Sequence, residues 1–195
     1  MGGRPKGWLL APPDPAAGAE SLGSGAPRPS ILERTVNLAR GVCDEVCLVG
    51  RAEAYARLEL PVVADASMAD GAPAVGPLAG LVALLEHVGE GTAIALACDM
   101  PYLTGAMLAR LAAIAPGALA VAPREGAEPA LWSPFFARYD AARLAIIART
   151  RLEEGRRSLR AVLESVDTYE LPLSAEERRA LRDWDSPDDV EDDKA

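Results

Sequence analysis

The sequence has 195 residues, of which 50% are hydrophobic, 25% charged and 5% aromatic. This length suits one domain, and the hydrophobic fraction excludes a disordered chain. No apolar run approaches the roughly 20 residues of a transmembrane helix, and the first residues lack the apolar middle of a secretory signal, so we expect a cytoplasmic protein with no membrane partner. The formal net charge is −9 without a basic stripe, which argues against a nucleic-acid partner.

Two segments differ in composition from the rest of the chain. Residues 11–30 are dense in proline, glycine, alanine and serine without periodicity, which predicts a flexible surface insertion. From Asp183 to the end, seven acidic residues accompany a single lysine. We therefore predict a single domain over residues 1–187, followed by a solvated acidic tail at 188–195.

Short apolar runs alternate with segments of helical periodicity along the chain. Strands are predicted at 46–49, 61–64, 92–98 and 119–122, and helices at 31–40, 78–87, 104–114, 134–150 and 156–164. Thr104 is expected to cap the third of these helices, whereas Ser158 is expected to lie too far inside the last one to cap it. This alternation predicts an α/β fold with a mostly parallel sheet, helices on both faces, and ligands at the carboxyl ends of the strands.

Two acidic residues follow predicted strands. Asp99 comes directly after the run at 92–98 and shortly before Pro101, where the chain turns toward the next helix. A carboxylate at a strand end can hold Mg²⁺ together with substrate phosphates, and the alternative is an aspartate that only caps the following helix. Asp65 follows the run at 61–64 in the same way, and its alternative is an ordinary loop acid.

Glycine-containing turns are the next candidates for chemistry. Gly76, Pro77 and Gly80 lie at the start of the helix that ends near His87. Glycine permits close backbone approach and the amino end of a helix offers free N–H groups, but an ordinary turn with proline at the first helical position explains the same pattern. Residues 1–6 combine two glycines with a lysine, which can wrap a phosphate. Near the carboxyl end, Asp185 is a candidate second metal ligand.

The remaining reactive side chains are interpreted as structural. Three cysteines do not make a disulfide framework, and Cys43 and Cys47 are predicted to be ordinary buried or helix-end thiols. His87, the only histidine, lies late in a helix and is expected to complement its dipole. Core aromatic residues are predicted at Trp132, Phe135 and Phe136.

Taken together, these segments resemble the molybdenum cofactor guanylyltransferase family, within the wider molybdopterin nucleotidyltransferases. The most specific match is Gly-Pro-Leu-Ala-Gly-Leu at 76–81, followed by Cys-Asp-Met-Pro at 98–101. The lesser matches are a Met-Gly-x-x-x-Lys loop at 1–7, the first helix at 29–36, Asp65, a Glu-Pro pair at 128–130, a Gly-x-x-Ser-Leu helix at 155–163 and the closing segment at 183–189. The resemblance covers nearly the whole chain except residues 11–30 and the acidic end.

The resemblance implies a Rossmann-like three-layer nucleotidyltransferase fold that transfers GMP from GTP to molybdenum-bound molybdopterin, with release of pyrophosphate. It implies Mg²⁺ held by Asp99, with Asp185 as second candidate, and catalytic roles for Lys6 and Asp99. Such a substitution at phosphorus needs positioning and charge neutralisation rather than a protein nucleophile. Nucleotide binding is implied for Gly2, Gly3, Lys6, Asp65, Gly76, Pro77, Leu78, Gly80 and Asp99. Other proteins of molybdenum cofactor biosynthesis are implied as partners.

The chain also departs from the family pattern at its start. Family members have a strand and a Leu-Ala-Gly-Gly loop before the position that matches Met1, so the resemblance implies an N-terminal truncation that removes the first, central strand of the sheet. Two alternatives follow. Asp183 and Asp185 replace two asparagines of the family, which favours a cytidylyltransferase for the same pterin. A non-catalytic remnant would retain the core and lack the phosphate loop.

Overall fold

Strands and helices alternate along residues 6–12, 28–126 and 129–181, which the computed structural model describes, with the backbone alone described at Lys6. The helices are α1 (Ile31–Arg40), α2 (Pro77–Val88), α3 (Gly105–Ala113), α4 (Ala141–Glu153), α5 (Leu159–Glu164) and α6 (Ala175–Ala180), with 3₁₀ helices at Lys6–Trp8 and Glu53–Leu58. The strands are β1 (Leu48–Val49), β2 (Val62–Val63), β3 (Thr92–Leu96), β4 (Ala120–Ala122), β5 (Arg124–Glu125), β6 (Leu131–Trp132), β7 (Phe136–Asp140) and β8 (Thr168–Glu170). No helix in these ranges is long and apolar enough to cross a membrane.

The main sheet has four strands in the order β3–β7–β4–β8. In this sheet β3, β4 and β8 run in one direction, while β7 lies antiparallel between β3 and β4. A separate parallel pair joins β1 to β2, with Leu48 opposite Val62, and β5 and β6 form a small antiparallel ladder. The predicted α/β architecture is confirmed, with β7 making the sheet mixed.

Two local predictions were wrong. The helix predicted at 134–150 begins only at Ala141, because residues 136–140 form β7 and pair with β3 on one side and β4 on the other. Cross-strand pairing and burial decide strand formation more than local spacing does. The sequence predicts Ser158 inside the last helix, yet that helix starts at Leu159, and the Ser158 hydroxyl accepts a hydrogen bond from the Ala161 amide at 3.2 Å as its N-cap. The cap predicted at Thr104 is confirmed.

Alternate residues of the central strands face two separate cores. Ala122 and Tyr139 belong to one cluster with buried residues of α2, α4 and α5. Val121 and Phe136 belong to the other, with buried residues of α3. Because successive strand side chains point to opposite faces, the sheet is covered by helices on both sides, as predicted.

The ends of the predicted insertion at 11–30 are tied to each other. The Ala11 amide donates to the Pro29 carbonyl at 2.9 Å, and Leu10 forms a bridge with Ser30. The prediction that this segment is flexible falls on residues 13–27, which lie outside the described residues.

Three helices begin with carboxylates whose pKa is lowered. The Ser30 amide donates to Glu33 at 2.7 Å, and the Ser174 amide donates to Glu177 at 2.8 Å. Asp140 accepts the Arg143 amide at 2.9 Å. In each case the backbone hydrogen bond is the main cause of the lowered pKa, because it stabilises the charged carboxylate.

These caps predict a loss of stability in acid. A carboxyl with a lowered pKa in the folded state contributes stability above its ordinary value of about 4, and that contribution is lost as the pH falls through the lowered value. The urea midpoint should therefore fall between about pH 6 and about pH 3. The Glu33→Gln variant keeps an acceptor at the cap but cannot be protonated, so it should show a smaller acid-induced fall. An identical fall in both proteins would contradict the assignment.

Candidate functional site

The carboxyl ends of β1, β2 and β3 meet around one opening. Gly50 follows β1, Asp65 lies two residues after β2, and Cys98 lies two residues after β3. A cavity of about 830 Å³ is lined by Asp65, Gly80, Tyr55 and Cys98 at this end, and it continues between β1 and β3. This is the edge at which α/β folds bind their ligands.

Asp65 is held against the backbone of two glycines. A Cβ atom added to either Gly50 or Gly80 would lie 3.3 Å from Asp65 Oδ1. Gly50 also has φ +85°, a left-handed conformation that glycine adopts without strain. Among the described residues no hydrogen bond or ion pair engages the Asp65 carboxylate, so both oxygens can accept hydrogen bonds from a ligand.

Helix α2 starts beside this carboxylate without a side-chain cap. Gly76 occupies the N-cap position with φ +107°, and Pro77 is the first helical residue. Pro77 has no N–H and the Ala79 amide donates to the Gly76 carbonyl at 3.0 Å, so this first turn offers fewer N–H groups to an anion than an uncapped helix normally does. Arg157 packs along the turn, with its Cβ 3.6 Å from the position of a Cβ on Gly76. The Leu78 side chain is fully buried in the core, so this predicted nucleotide-binding residue can contribute only through its backbone.

Tyr55 lies between the carboxyl end of β1 and the carboxyl end of β3. It lies on the 3₁₀ helix that follows β1, and its ring packs against Gly7, whose added Cβ would lie 3.1 Å from Tyr55 Cε1. Burial raises the pKa of the Tyr55 hydroxyl, and the neighbouring Cys98 and Asp99 raise it further. We call the surroundings of the Tyr55 hydroxyl the Tyr55 corner. The predicted catalytic Asp99 lies at this corner, together with the backbone of residues 6–8.

Apart from Gly76 and Leu78, which are described above, the predicted site residues divide into three groups. Asp65, Pro77 and Gly80 line the cavity. Asp99 lies at the adjacent Tyr55 corner. Outside the described part are Gly2, Gly3, the Lys6 side chain and Asp185. Of the two predicted metal ligands, Asp99 and Asp185, the structure describes Asp99. Within the described ranges, no group of three or more histidine, cysteine, aspartate or glutamate residues is placed to hold a metal ion.

Cys43, Cys47 and His87 also line the cavity, and none of them belongs to a group of three or more metal-ligating side chains among the described residues. Burial raises the pKa of both Cys43 and Cys47, which disfavours the reactive thiolate. His87 Nε2 lies 3.1 Å from Glu45 Oε1 near the end of α2. Of the predicted core aromatics, Trp132 and Phe136 are buried, but Phe135 is 42% exposed and lines the cavity, so its assignment to the core was wrong.

Three residues of the site were not predicted. Gly50 is a glycine directly after a short strand, a signal that the sequence contained. Arg157 follows the predicted Gly-x-x-Ser-Leu match, but its position against Gly76 needs the tertiary structure. Tyr55 lies on a 3₁₀ helix that carries no strong periodic signal.

Solved structures place this fold among the α/β nucleotidyltransferases. The molybdopterin-guanine dinucleotide biosynthesis protein A of Archaeoglobus fulgidus superposes with a TM-score of 0.64 at 21% identity, over 85% of this chain and 84% of that one. The 2-C-methyl-D-erythritol 4-phosphate cytidylyltransferase of Thermus thermophilus gives 0.62 at 14% identity, over 83% and 86%. At these identities the comparison establishes the fold.

The sequence comparisons establish the family. The model of the MobA-like NTP transferase domain matches residues 25–169. A Chloroflexus aggregans (strain MD-66 / DSM 9485) protein named "Probable molybdenum cofactor guanylyltransferase" is 30% identical over 167 residues, covering 83% of this chain and 78% of that protein. The chain belongs to the MobA-like NTP transferase family, as its resemblance had implied.

Proposed function

We propose that this protein transfers GMP from GTP to molybdenum-bound molybdopterin and releases pyrophosphate. The observation that carries the proposal is the Asp65 carboxylate, held between Gly50 and Gly80 at the uncapped start of α2. The Chloroflexus relative, whose name specifies guanylyl transfer, supports this choice of nucleotide.

The chain acts by positioning and by neutralising charge. Asp65 accepts hydrogen bonds from the nucleotide, and the glycines beside it let the ligand approach the backbone. Lys6 neutralises the triphosphate. A phosphate oxygen of the pterin attacks the α-phosphorus of GTP, the bond from that phosphorus to the bridging oxygen breaks, and pyrophosphate leaves with the electron pair. No covalent intermediate with the protein is required.

Magnesium fits the donor chemistry of this edge. Asp99 supplies a hard carboxylate oxygen two residues beyond Ala97, at the end of the β3 segment. Asp185 is the second proposed ligand. When bound, Mg²⁺ would neutralise the triphosphate and favour the departure of pyrophosphate.

The test compares GTP and CTP as substrates of the purified protein. Purified protein with Mg²⁺ and molybdenum-bound molybdopterin should form the guanine dinucleotide cofactor from GTP and release pyrophosphate, with CTP at least about tenfold less effective. Preference for CTP would make the protein a cytidylyltransferase. Absence of turnover together with absence of binding heat for either nucleotide would support the remnant hypothesis and overturn the proposal.

A side chain added next to Asp65 should raise KM for GTP, with a loss of stability similar to that of a control variant. Gly50→Ala places a left-handed alanine 3.3 Å from Asp65 Oδ1, so we expect KM for GTP to rise about tenfold. Gly71→Ala is the matched control, because Gly71 has φ +82° and nothing within 4 Å of an added Cβ. Both variants should lose about 1–2 kcal/mol of stability from backbone strain. An equal KM for the two variants would contradict a role for Asp65.

A further inference from the structure

A second cavity lies beside α1, apart from the cavity that Asp65 lines. It has a volume of about 680 Å³, and its walls include α1 and the end of the 3₁₀ helix at Glu53–Leu58. We name it the arginine cavity, because three of the side chains that line it are Arg28, Arg40 and Arg57. None of these arginines lines the cavity beside Asp65, so the two cavities present different chemical groups to a ligand.

One face of α1 forms a wall of the arginine cavity. The residues of this helix that line it recur at spacings of three and four, at Glu33, Val36, Asn37 and Arg40. This spacing places their side chains on the same face of the helix. The first turn is already hydrogen-bonded through a capping box of Ser30 and Glu33. A ligand in this cavity is therefore held by side chains rather than by the start of the helix.

The side chains of the cavity carry a local positive charge. Among the described residues that line it, Glu33 is the only acid beside the three arginines, although the whole chain has a formal net charge of −9. Glu33 Oε2 accepts hydrogen bonds from the Ser30 amide and hydroxyl, each at 2.7 Å, and Glu33 Oε1 lies 3.6 Å from Arg57. No hydrogen bond or ion pair among the described residues engages Arg28 or Arg40. Two positive charges therefore remain without a partner.

Arg57 is stacked on an aromatic ring. Its guanidinium carbon lies 3.4 Å from the centroid of the Trp8 ring. The ring itself is fixed, because Trp8 Nε1 donates to the Ala54 carbonyl at 2.7 Å on the same 3₁₀ helix. A guanidinium that stacks on a ring keeps the N–H groups at its edge available for a planar pair of hydrogen bonds. Phosphate and carboxylate oxygens are the acceptors that match this geometry.

Apolar side chains complete the walls. Beside the arginines, the cavity is lined by Trp8, Leu10, Val36 and Leu58. A bare inorganic anion would satisfy the arginines and leave this apolar surface in water, whereas a ligand with an apolar body would cover it. A volume of this size is typical of sites for small organic ligands, which fill about 300–1,000 Å³.

We propose that the arginine cavity binds a small organic phosphate, a molecule that joins a phosphate group to an apolar body. Arg28, Arg40 and Arg57 donate hydrogen bonds to the phosphate oxygens and neutralise their charge. The apolar body packs against the side chains of Leu10 and Leu58. This assignment rests on the arginine cavity alone and holds whichever nucleotide the Asp65 site takes.

Fluorine NMR of the 195-residue protein labelled with fluorotryptophan tests the assignment, with phenyl phosphate as the probe. The Trp8 resonance, assigned with a Trp8→Phe variant, should shift and saturate with a Kd below about 1 mM. The Trp132 resonance should stay unchanged, because Trp132 does not line the cavity. Inorganic phosphate should bind at least about tenfold more weakly, since it buries no apolar surface. Benzyl alcohol, which lacks the charge, should leave the Trp8 resonance in place.

A matched pair of arginine variants identifies the site. Arg40→Gln should raise the Kd for phenyl phosphate at least about tenfold, because it removes a charged donor from the cavity. Arg179→Gln should leave the Kd unchanged. Arg179, like Arg40, is exposed in the last turn of a helix, but it does not line the cavity.

Several outcomes would overturn the proposal. One is the same Kd in the two arginine variants, and another is a Trp8 shift that sodium chloride reproduces at equal ionic strength. Equal binding of benzyl alcohol would make the cavity a site for neutral apolar ligands. Binding of phenyl phosphate that requires the changes Asp14→Asn and Glu20→Gln would assign the arginines to carboxylates of this chain, and would refute a phosphate site.

Discussion

Asp99→Asn is expected to lower kcat for guanylyl transfer by at least about 100-fold, because asparagine keeps the size of the side chain and removes its negative charge. Asp99 is partly buried at the Tyr55 corner, where it raises the pKa of the tyrosine hydroxyl. A carboxylate in this position can hold a divalent cation against a triphosphate, whereas a neutral amide binds such a cation far more weakly. The Mg²⁺ concentration for half-maximal rate should therefore rise as well.

The matched control is Asp167→Asn. Asp167 is exposed and lies directly before β8, away from the carboxyl ends that form the site. This variant should keep the wild-type kcat and Mg²⁺ dependence. Thermal unfolding of both variants separates a catalytic effect from a folding effect. If Asp99→Asn turned over GTP at the rate of the control, Asp99 would only cap the turn before α3.

The parts of the fold predicted correctly are those with strong local signals. Helix α1 has the predicted bounds, Ile31–Arg40, because Ser30 and Glu33 form a capping box ahead of an amphipathic run. Strand β3 was recognised from its apolar run between glycine and proline. Strand β7 was missed because the two strands that enclose it are distant in sequence, and local spacing in this segment favours a helix.

The residues of the candidate site divide in the same way, into those with a local sequence signal and those without one. The positions of Asp65 and Asp99 after β2 and β3 could be predicted, because acids after apolar runs mark strand ends in α/β folds, and their roles stay predictions. Tyr55 was not found, because its contact with Cys98 joins residues more than forty positions apart through a 3₁₀ helix without a strong pattern. The exposure of Phe135 was not predicted either, because it depends on residues distant in sequence. Its backbone carbonyl accepts a hydrogen bond from the Ala97 amide, whereas its side chain faces the cavity.

Arg138→Met is expected to lower the free energy of unfolding by about 3 kcal/mol, through the loss of charge-assisted hydrogen bonds in the core. Arg138 lies in the middle of β7 and is only 2% exposed. Its guanidinium donates to the Ala112 and Ala115 carbonyls, each at 2.6 Å, at the end of α3. Burial lowers the pKa of Arg138, but arginine stays protonated in proteins.

Methionine fills much of the same space, so the loss comes mainly from two carbonyls left without their donor. Arg143→Met is the control, because Arg143 also donates to a backbone carbonyl near α3, that of Gly117 at 2.9 Å, but is exposed. We expect less than about 1 kcal/mol for this exposed arginine. Urea unfolding of both variants measures the difference. Equal losses of unfolding free energy in the two variants would mean that solvent, rather than Arg138, donates the hydrogen bonds to the carbonyls at the end of α3.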